Sequence, residues 1–464
     1  MKTRTYDNGF RVVHEKSFHG SQIASIQVIC DVGSIHEPAD SRGAAHFIEH
    51  MCFKGTPTHP SSYEISSLID KTGSYVNAFT DRRYTKYYIN TTTEYVPKYI
   101  NLLSDMLLNS VFDKGEYAKE RNVVKEEMIQ DADDAEETAL KNADAVIFAG
   151  SHYEYPVDEL KYHSGKHALQ YDKLVEMYRT FYIPNRMILS VCSANSFDAI
   201  CEAVKKSSFS KVRPKERPKE RPKERKEKVH ATVGCPPAVD LSLKPQYETV
   251  YKIAKMPINP VHICVGFRTC SIYDVDRYSL KMLKKILSGS MSSRMFMILR
   301  EENGLTYSSY TESEHYENAG NFVFYAECDS TKVFTNGGAS SNEVASNGGS
   351  SSKHGVYPLI MKLIHNLVKD GITKEELEIA KSSYRGTMAV SGESAESIAS
   401  YNAKNILYQR SDAPSFENRY KTYVDSMTVV DINACIKKYF RRENMVVSVV
   451  GRAPPSQKML EKYV

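Results

Sequence analysis

The chain has 464 residues, of which 41% are apolar and 25% charged, with a formal net charge of +4, the make-up of a globular protein with roughly two to four domain equivalents. No run approaches the ~18 apolar residues of a membrane span; the best, residues 445–450, has strand length, so no membrane role is expected. The basic excess is local, because residues 213–228 hold nine Lys or Arg and four Glu, a +5 that takes the overall +4 to −1 for the rest.

Nine cysteines are scattered singly, and several interrupt apolar runs. They read as free buried thiols in a reducing, cytoplasmic compartment rather than a disulfide framework. The first 13 residues lack a signal-peptide core and pass directly into Asn8-Gly9 and a strand-like run, so neither a signal nor a transit peptide is expected.

In chain order, residues 22–30 alternate as a strand, and Pro38 with Asp40 marks a turn. A helix follows over Ala44-Ala45-His46-Phe47-Ile48-Glu49-His50-Met51-Cys52-Phe53, with Ser41 as its expected N-cap. His46 and His50 stand one turn apart, and Glu49 lies three residues after His46, so all three project within one quadrant of a greasy helix. Burying three polar groups uncompensated costs several kcal/mol, roughly 2 or more each, so something must bind them. Two imidazoles at this spacing suit zinc, and the order His-x-x-Glu-His inverts the commoner zinc-protease motif. Cys52 falls on the wrong face to join them and is expected to be structural.

Residues 62–70 read as a short amphipathic helix, 75–79 and 85–90 as paired strands, and 94–109 as a core helix. A catalytic zinc needs a third protein ligand and an open position. The helical segment 116–128 offers Glu120 and Glu127, seven apart and thus on one face, with Val123, Val124 and Met128 nearby, whereas Glu126 points elsewhere.

The second half repeats this order. Residues 261–267 form a strand leading to a helix over 276–287, and 181–192 parallels 439–450, an internal repeat of about 240 to 260 residues. With Ser34 set on Ser271, His46, Glu49 and His50 fall on Leu283, Ile286 and Leu287. With Met128 on Met388, Glu127 and Glu120 fall on Thr387 and Ala380. The second copy thus keeps the apolar pattern without the charges. Between the copies, Arg-Pro-Lys-Glu is repeated three times. Proline every fourth residue blocks a regular helix, and alternating charge keeps the segment solvated. We read it as a spacer; no aromatics interleave its charges, so nucleic-acid binding is not expected. Residues 335–352 read as a flexible loop.

His46-x-x-Glu49-His50, 76 intervening residues and then Glu127, together with Glu120-Arg121-Asn122 and Gly73-Ser-Tyr-Val-Asn77-Ala78-Phe-Thr80, resemble the M16 peptidases, the inverzincins. The resemblance covers essentially the whole chain and is to the short, two-domain type, that of mitochondrial processing peptidase β subunits and bacterial homologues. It implies an α+β fold of two homologous domains, each a largely antiparallel sheet with helices packed on it. We place the zinc-binding domain at 1–212, the linker at 213–245 and a second domain without zinc at 246–464. The activity implied is endopeptidase cleavage, with one zinc per chain held by His46, His50 and Glu127 and Glu49 as general base toward the zinc-activated water. Glu120 would orient a ligand from behind. Asn77 and Ala78 would lie on an edge strand that pairs with extended substrate. Arg300 and Tyr307, in Leu299-Arg300-Glu-Glu-Asn303-Gly304-Leu-Thr306-Tyr307, would help hold the substrate carbonyl. Short members pair into a clamshell, so the expected partners are a peptide or unfolded polypeptide and a second chain, in a homodimer or a heterodimer with another M16-like chain. The alternative is a non-catalytic assembly or peptide-binding subunit, whose mark is a broken zinc motif; here the motif is intact.

Overall fold

Eleven strands are formed among the described residues: β1 Lys2–Thr5, β2 Arg11–Lys16, β3 Ile23–Cys30, β4 Tyr75–Thr80, β5 Thr85–Thr92, β6 Met187–Ser193, β7 Val250–Lys255, β8 Pro260–Thr269, β9 Thr306–Glu312, β10 Gly320–Asp329 and β11 Met445–Gly451. The principal helices are α1 Ala44–Met51, α2 Ser62–Asp70, α3 Val96–Leu108, α4 Lys114–Asp133, α5 Ala135–Ile147, α6 Tyr171–Phe181, α7 Phe197–Lys206, α8 Asp276–Ser288, α9 Val356–Asp370, α10 Lys374–Gly392, α11 Ala395–Leu407 and α12 Val429–Tyr439. This computed structural model describes residues 1–464 apart from 19, 163–164, 166–167, 212–238, 335–353 and 411–412. The charged repeat at 213–228, the low-complexity run at 335–352 and Cys235 therefore lie outside the described residues.

The first sheet has the order β1-β2-β6-β3-β5-β4, and every pairing is antiparallel except β2 with β6. The second has the order β7-β11-β8-β10-β9, again with one parallel pairing, β7 with β11. Set β1 aside and the two orders are the same, so the repeat seen in the sequence is a repeat of topology. The middle strands β6 and β11 are buried along their whole length, which is why Met187–Ser193 and Met445–Gly451 are almost unbroken apolar runs. On one face of the first sheet, Val12, Val28, Leu189 and Val191 share a core with Phe47 and Ile48 of α1, Leu103 and Met106 of α3, and Ile200 and Val204 of α7. Ser196 caps α7 by accepting from the Ala199 amide at 3.1 Å.

The chain divides into two compact units that do not follow the linker. The first is Met1–Met128, Val157–Val239 and Met388–Arg419; the second is Ile129–Pro156, Asp240–Thr387 and Tyr420–Val464. Against the expected division at 1–212 and 246–464, α5 of the first half thus belongs to the second unit and α11 of the second half to the first.

Each exchanged helix is alanine-rich and lies close against its sheet. In the first unit α11 packs on β3 and β6 and buries Ala395, Ile398, Ala399, Ala403 and Leu407. Gln27 and Asn90 donate to the main-chain oxygen and carboxylate of Glu396 at 2.9 and 2.7 Å, and Ser190 donates to the Ala399 oxygen at 2.7 Å. In the second unit α5 packs on β8 and β11, burying Ala135, Ala139, Ala143 and Ile147. A Cβ at Gly266 would meet Ile147 Cδ1 at 3.0 Å, so glycine there lets the helix approach. Tyr310 donates to Glu136 at 2.6 Å and Asn321 to Asp144 at 2.9 Å. Asp134-Ala135-Glu136 and Ser394-Ala395-Glu396 are the same device used twice: a cap, a small contact residue and a carboxylate tied to the sheet.

Candidate metal centre

Helix α1 begins after Gly43, whose φ of +79° is the left-handed conformation that favours glycine. Ser41 does not cap it: its hydroxyl donates to Asp40 at 3.1 Å. The left-handed step turns the first amides of the helix toward Glu37, whose two carboxylate oxygens accept from Gly43 at 2.9 Å and Ala45 at 2.8 Å. Burial pushes the Glu37 carboxyl up to about 8, against the pull of those two amides. Ala44, Ala45, Phe47, Ile48 and Met51 anchor the helix in the core. His46, Glu49 and His50 are left on the remaining, partly exposed stripe.

Helix α4 faces this stripe with a narrow line of buried residues, Glu120, Val124 and Met128. Val123, expected beside them, is 46% exposed, whereas Val124, the next residue, is wholly buried. Glu127 lies on the inner side and meets both histidines. His46 Nε2 and His50 Nε2 are 3.2 Å apart, and Glu127 Oε2 lies 3.4 Å from the second and 4.0 Å from the first. An ion with tetrahedral bonds of about 2.0–2.1 Å needs donors about 3.3 Å apart. Two of the three separations match that spacing and the His46–Glu127 one, at 4.0 Å, is wider, so the three residues form a set that could hold zinc, the one such cluster among the described residues.

Each histidine is backed by a carboxylate. His50 Nδ1 faces Glu120 Oε1 at 3.0 Å, and Lys54 Nζ holds the other oxygen of Glu120 at 2.6 Å. Burial would raise the Glu120 carboxyl, but these two partners keep it below the usual range. His46 Nδ1 faces Asp158 Oδ2. Burial by itself lowers His46, and the Asp158 hydrogen bond and charge reverse that, lifting it to about 9. Glu49 is not one of the three donors, and its Oε2 accepts from the Thr80 hydroxyl at 2.6 Å. Its carboxyl is raised by burial, with Thr80 and the two histidines opposing.

Among the described residues strand β4 is an edge of the first sheet, paired only with β5. Asn77 and Ala78 sit on it and, with Val76, Glu49, His50, Phe53, Lys54 and Glu120, line a cleft of about 270 Å³. Arg300 and Tyr307 belong to the second unit, where Tyr307 is 85% exposed on the edge strand β9. The Arg300 guanidinium lies 5.2 Å from the ring centroid of Tyr307. Leu283, Ile286 and Leu287, the counterparts of His46, Glu49 and His50, are buried core residues of α8. Lys285 donates to Ser383 at 3.2 Å and to Thr387, the counterpart of Glu127, at 3.1 Å. Cys52 is wholly buried, its thiol pushed up to about 12 by burial.

Asp158, Thr80 and Glu37 were not assigned roles from the sequence. Thr80 was within reach, since strand period places it on the face of Ala78 and Val76. Asp158, the first of two adjacent acids in an irregular stretch, carries no periodic signal.

Residues 11–158 match the profile of the insulinase family, peptidase family M16, and residues 168–384 that of the peptidase M16 inactive domain. The uncharacterized zinc protease YmxG of Bacillus subtilis is 32% identical over 410 residues, 88% of each chain. The mitochondrial-processing peptidase subunit beta of Dictyostelium discoideum is 32% identical over 211 residues, 44% of this chain and 43% of that one. A protease from Helicobacter pylori has the same fold, with a TM-score of 0.83 at 18% identity, covering 97% of this chain and 99% of that one. Among the described residues no helix is long and apolar enough to cross a membrane.

Proposed function

The chain belongs to peptidase family M16, and from that premise we propose that it is a zinc-dependent endopeptidase acting on extended polypeptide. The observation that carries the reading is the convergence of His46 Nε2, His50 Nε2 and Glu127 Oε2 on one point beside Glu49 and an open strand edge. Zinc, one per chain, supplies Lewis acidity toward water and the scissile carbonyl when bound. The remaining work belongs to the side chains. Glu49, free of the donor set and tied to Thr80, takes the proton of the attacking water and returns one to the leaving nitrogen. Glu120, fixed by Lys54, orients His50. The edge of β4 at Asn77 and Ala78, where the Ala78 amide donates to Asn77 Oδ1 at 2.8 Å, receives the substrate main chain as an added strand once that local bond yields, which favours extended peptides with little dependence on sequence. Arg300 and Tyr307 add a grip on the substrate carbonyl, supplied across a pair of chains.

The test is metal analysis of the purified protein together with cleavage of a peptide library by wild type and Glu49→Gln. Stoichiometric zinc and cleavage that the variant abolishes support the reading. A folded protein that binds no zinc, or equal cleavage by the variant, overturns it.

A further inference from the structure

We infer that Asp158 is a positioning residue of this centre, holding His46 in the tautomer and rotation that present Nε2 to the ion; the inference rests on the zinc reading above. An imidazole offers a metal one nitrogen only if its proton sits on the other. At His50 that choice is made by Glu120, which stands on α4, the helix that also carries Glu127. At His46 it is made by neither motif helix. Oδ2 of Asp158 lies against His46 Nδ1, and Oδ1 of the same carboxylate accepts from the Glu159 amide at 3.0 Å, so the group is fixed from behind. Asp158 is 5% exposed, and a carboxylate accepts hydrogen bonds without donating them. The proton of His46 is therefore drawn to Nδ1, and the lone pair is left on Nε2, the atom 3.2 Å from His50 Nε2. Without Asp158 the two tautomers compete, and one of them points an N–H at the metal position.

The source of this carboxylate gives it a second significance. The chain leaves the first unit within α4, passes through α5 in the second, and re-enters the first at Val157, one residue before Asp158. The last element of the centre is thus delivered by the returning chain, 112 residues from His46.

The full-length chain tests this through zinc affinity, measured by competition with a chromophoric chelator, and through 15N spectra of labelled histidine in the zinc-loaded protein. Asp158→Asn, nearly isosteric, should weaken zinc about 10 to 100-fold and remove the sharp Nδ1–H signal of His46, while Asp158→Glu restores part of both. Glu49→Gln should bind zinc as wild type does. A folded Asp158→Asn protein with zinc affinity within about twofold of wild type, or with an unchanged His46 signal, overturns the inference and leaves the functional reading standing. A wild type that binds no zinc overturns both.

Discussion

Thr80 donates to Glu49 Oε2 at 2.6 Å, so the proposed general base is held by the substrate-side strand rather than by its own helix. Thr80→Val keeps the β-branched shape and removes this bond, worth about 1–1.5 kcal/mol, together with a long 3.4 Å contact to the Thr85 hydroxyl. We expect kcat to fall roughly tenfold, with KM and zinc content unchanged and Thr80→Ser near wild type. Unchanged kcat in the valine variant would remove Thr80 from the account.

Glu49 and Glu127 should separate cleanly. Glu49→Gln keeps the three donors, so it should retain stoichiometric zinc while hydrolysis falls by about 10² to 10⁴. Glu127→Gln should lose zinc at chelator concentrations that leave the wild type loaded, because two histidines alone do not complete the site. Zinc lost from the first variant and kept by the second would reverse the two roles.

Glu37 gives stability a pH dependence of definite sign. Its folded carboxyl is raised to about 8 by burial, while an unfolded glutamate titrates near ~4.3. Between these values the folded chain holds a proton that the unfolded chain has released, so this contribution to stability declines as pH rises from about 5 through about 8. Glu37→Gln should flatten that decline. Above about pH 8, where Glu37 is a carboxylate accepting both helix amides, the amide variant should be less stable by about 1–3 kcal/mol, since its NH₂ group meets one of those amides and leaves a buried donor unpaired. Melting temperatures of both proteins from pH 5 to 9 test this, and parallel curves would contradict it.

Tyr307 allows a test of pairing. If each site is completed by the second unit of a partner chain, mixing inactive Glu49→Gln with inactive Tyr307→Phe under subunit exchange restores part of the activity, since one site of the mixed dimer has both residues. No recovery from mixed dimers verified by mass spectrometry, or full activity in a monomer, rules this arrangement out.

The metal helix was legible because its chemistry is local. Two histidines at i and i+4 with a carboxylate between them, among residues as apolar as Phe47 and Ile48, point to a metal site, and Glu127 supplies the third candidate donor that makes the pattern specific. The repeat was legible for a related reason, since β6 and β11 are buried on both faces and keep their apolar runs. Asp158 was not, because a residue positioned by an irregular stretch leaves no period. The cap was misplaced for a local reason: Ser41 has the right chemistry, but Gly43 turns the helix amides toward Glu37 instead. The exchange of α5 and α11 was hidden as well, because their alanine-rich faces fit either sheet equally well on paper.

That exchange makes the two halves mutually dependent for folding in a way the proline-rich spacer would not suggest. A fragment ending near residue 212 would leave Gln27, Asn90 and Ser190 without the helix that receives their hydrogen bonds, and a fragment beginning near 246 would lack the helix that lies along Gly266. Neither fragment is a complete folding unit. A protease that nicks the intact protein between them should therefore yield two pieces on a denaturing gel and a single species under native conditions, clasped by their reciprocal helices.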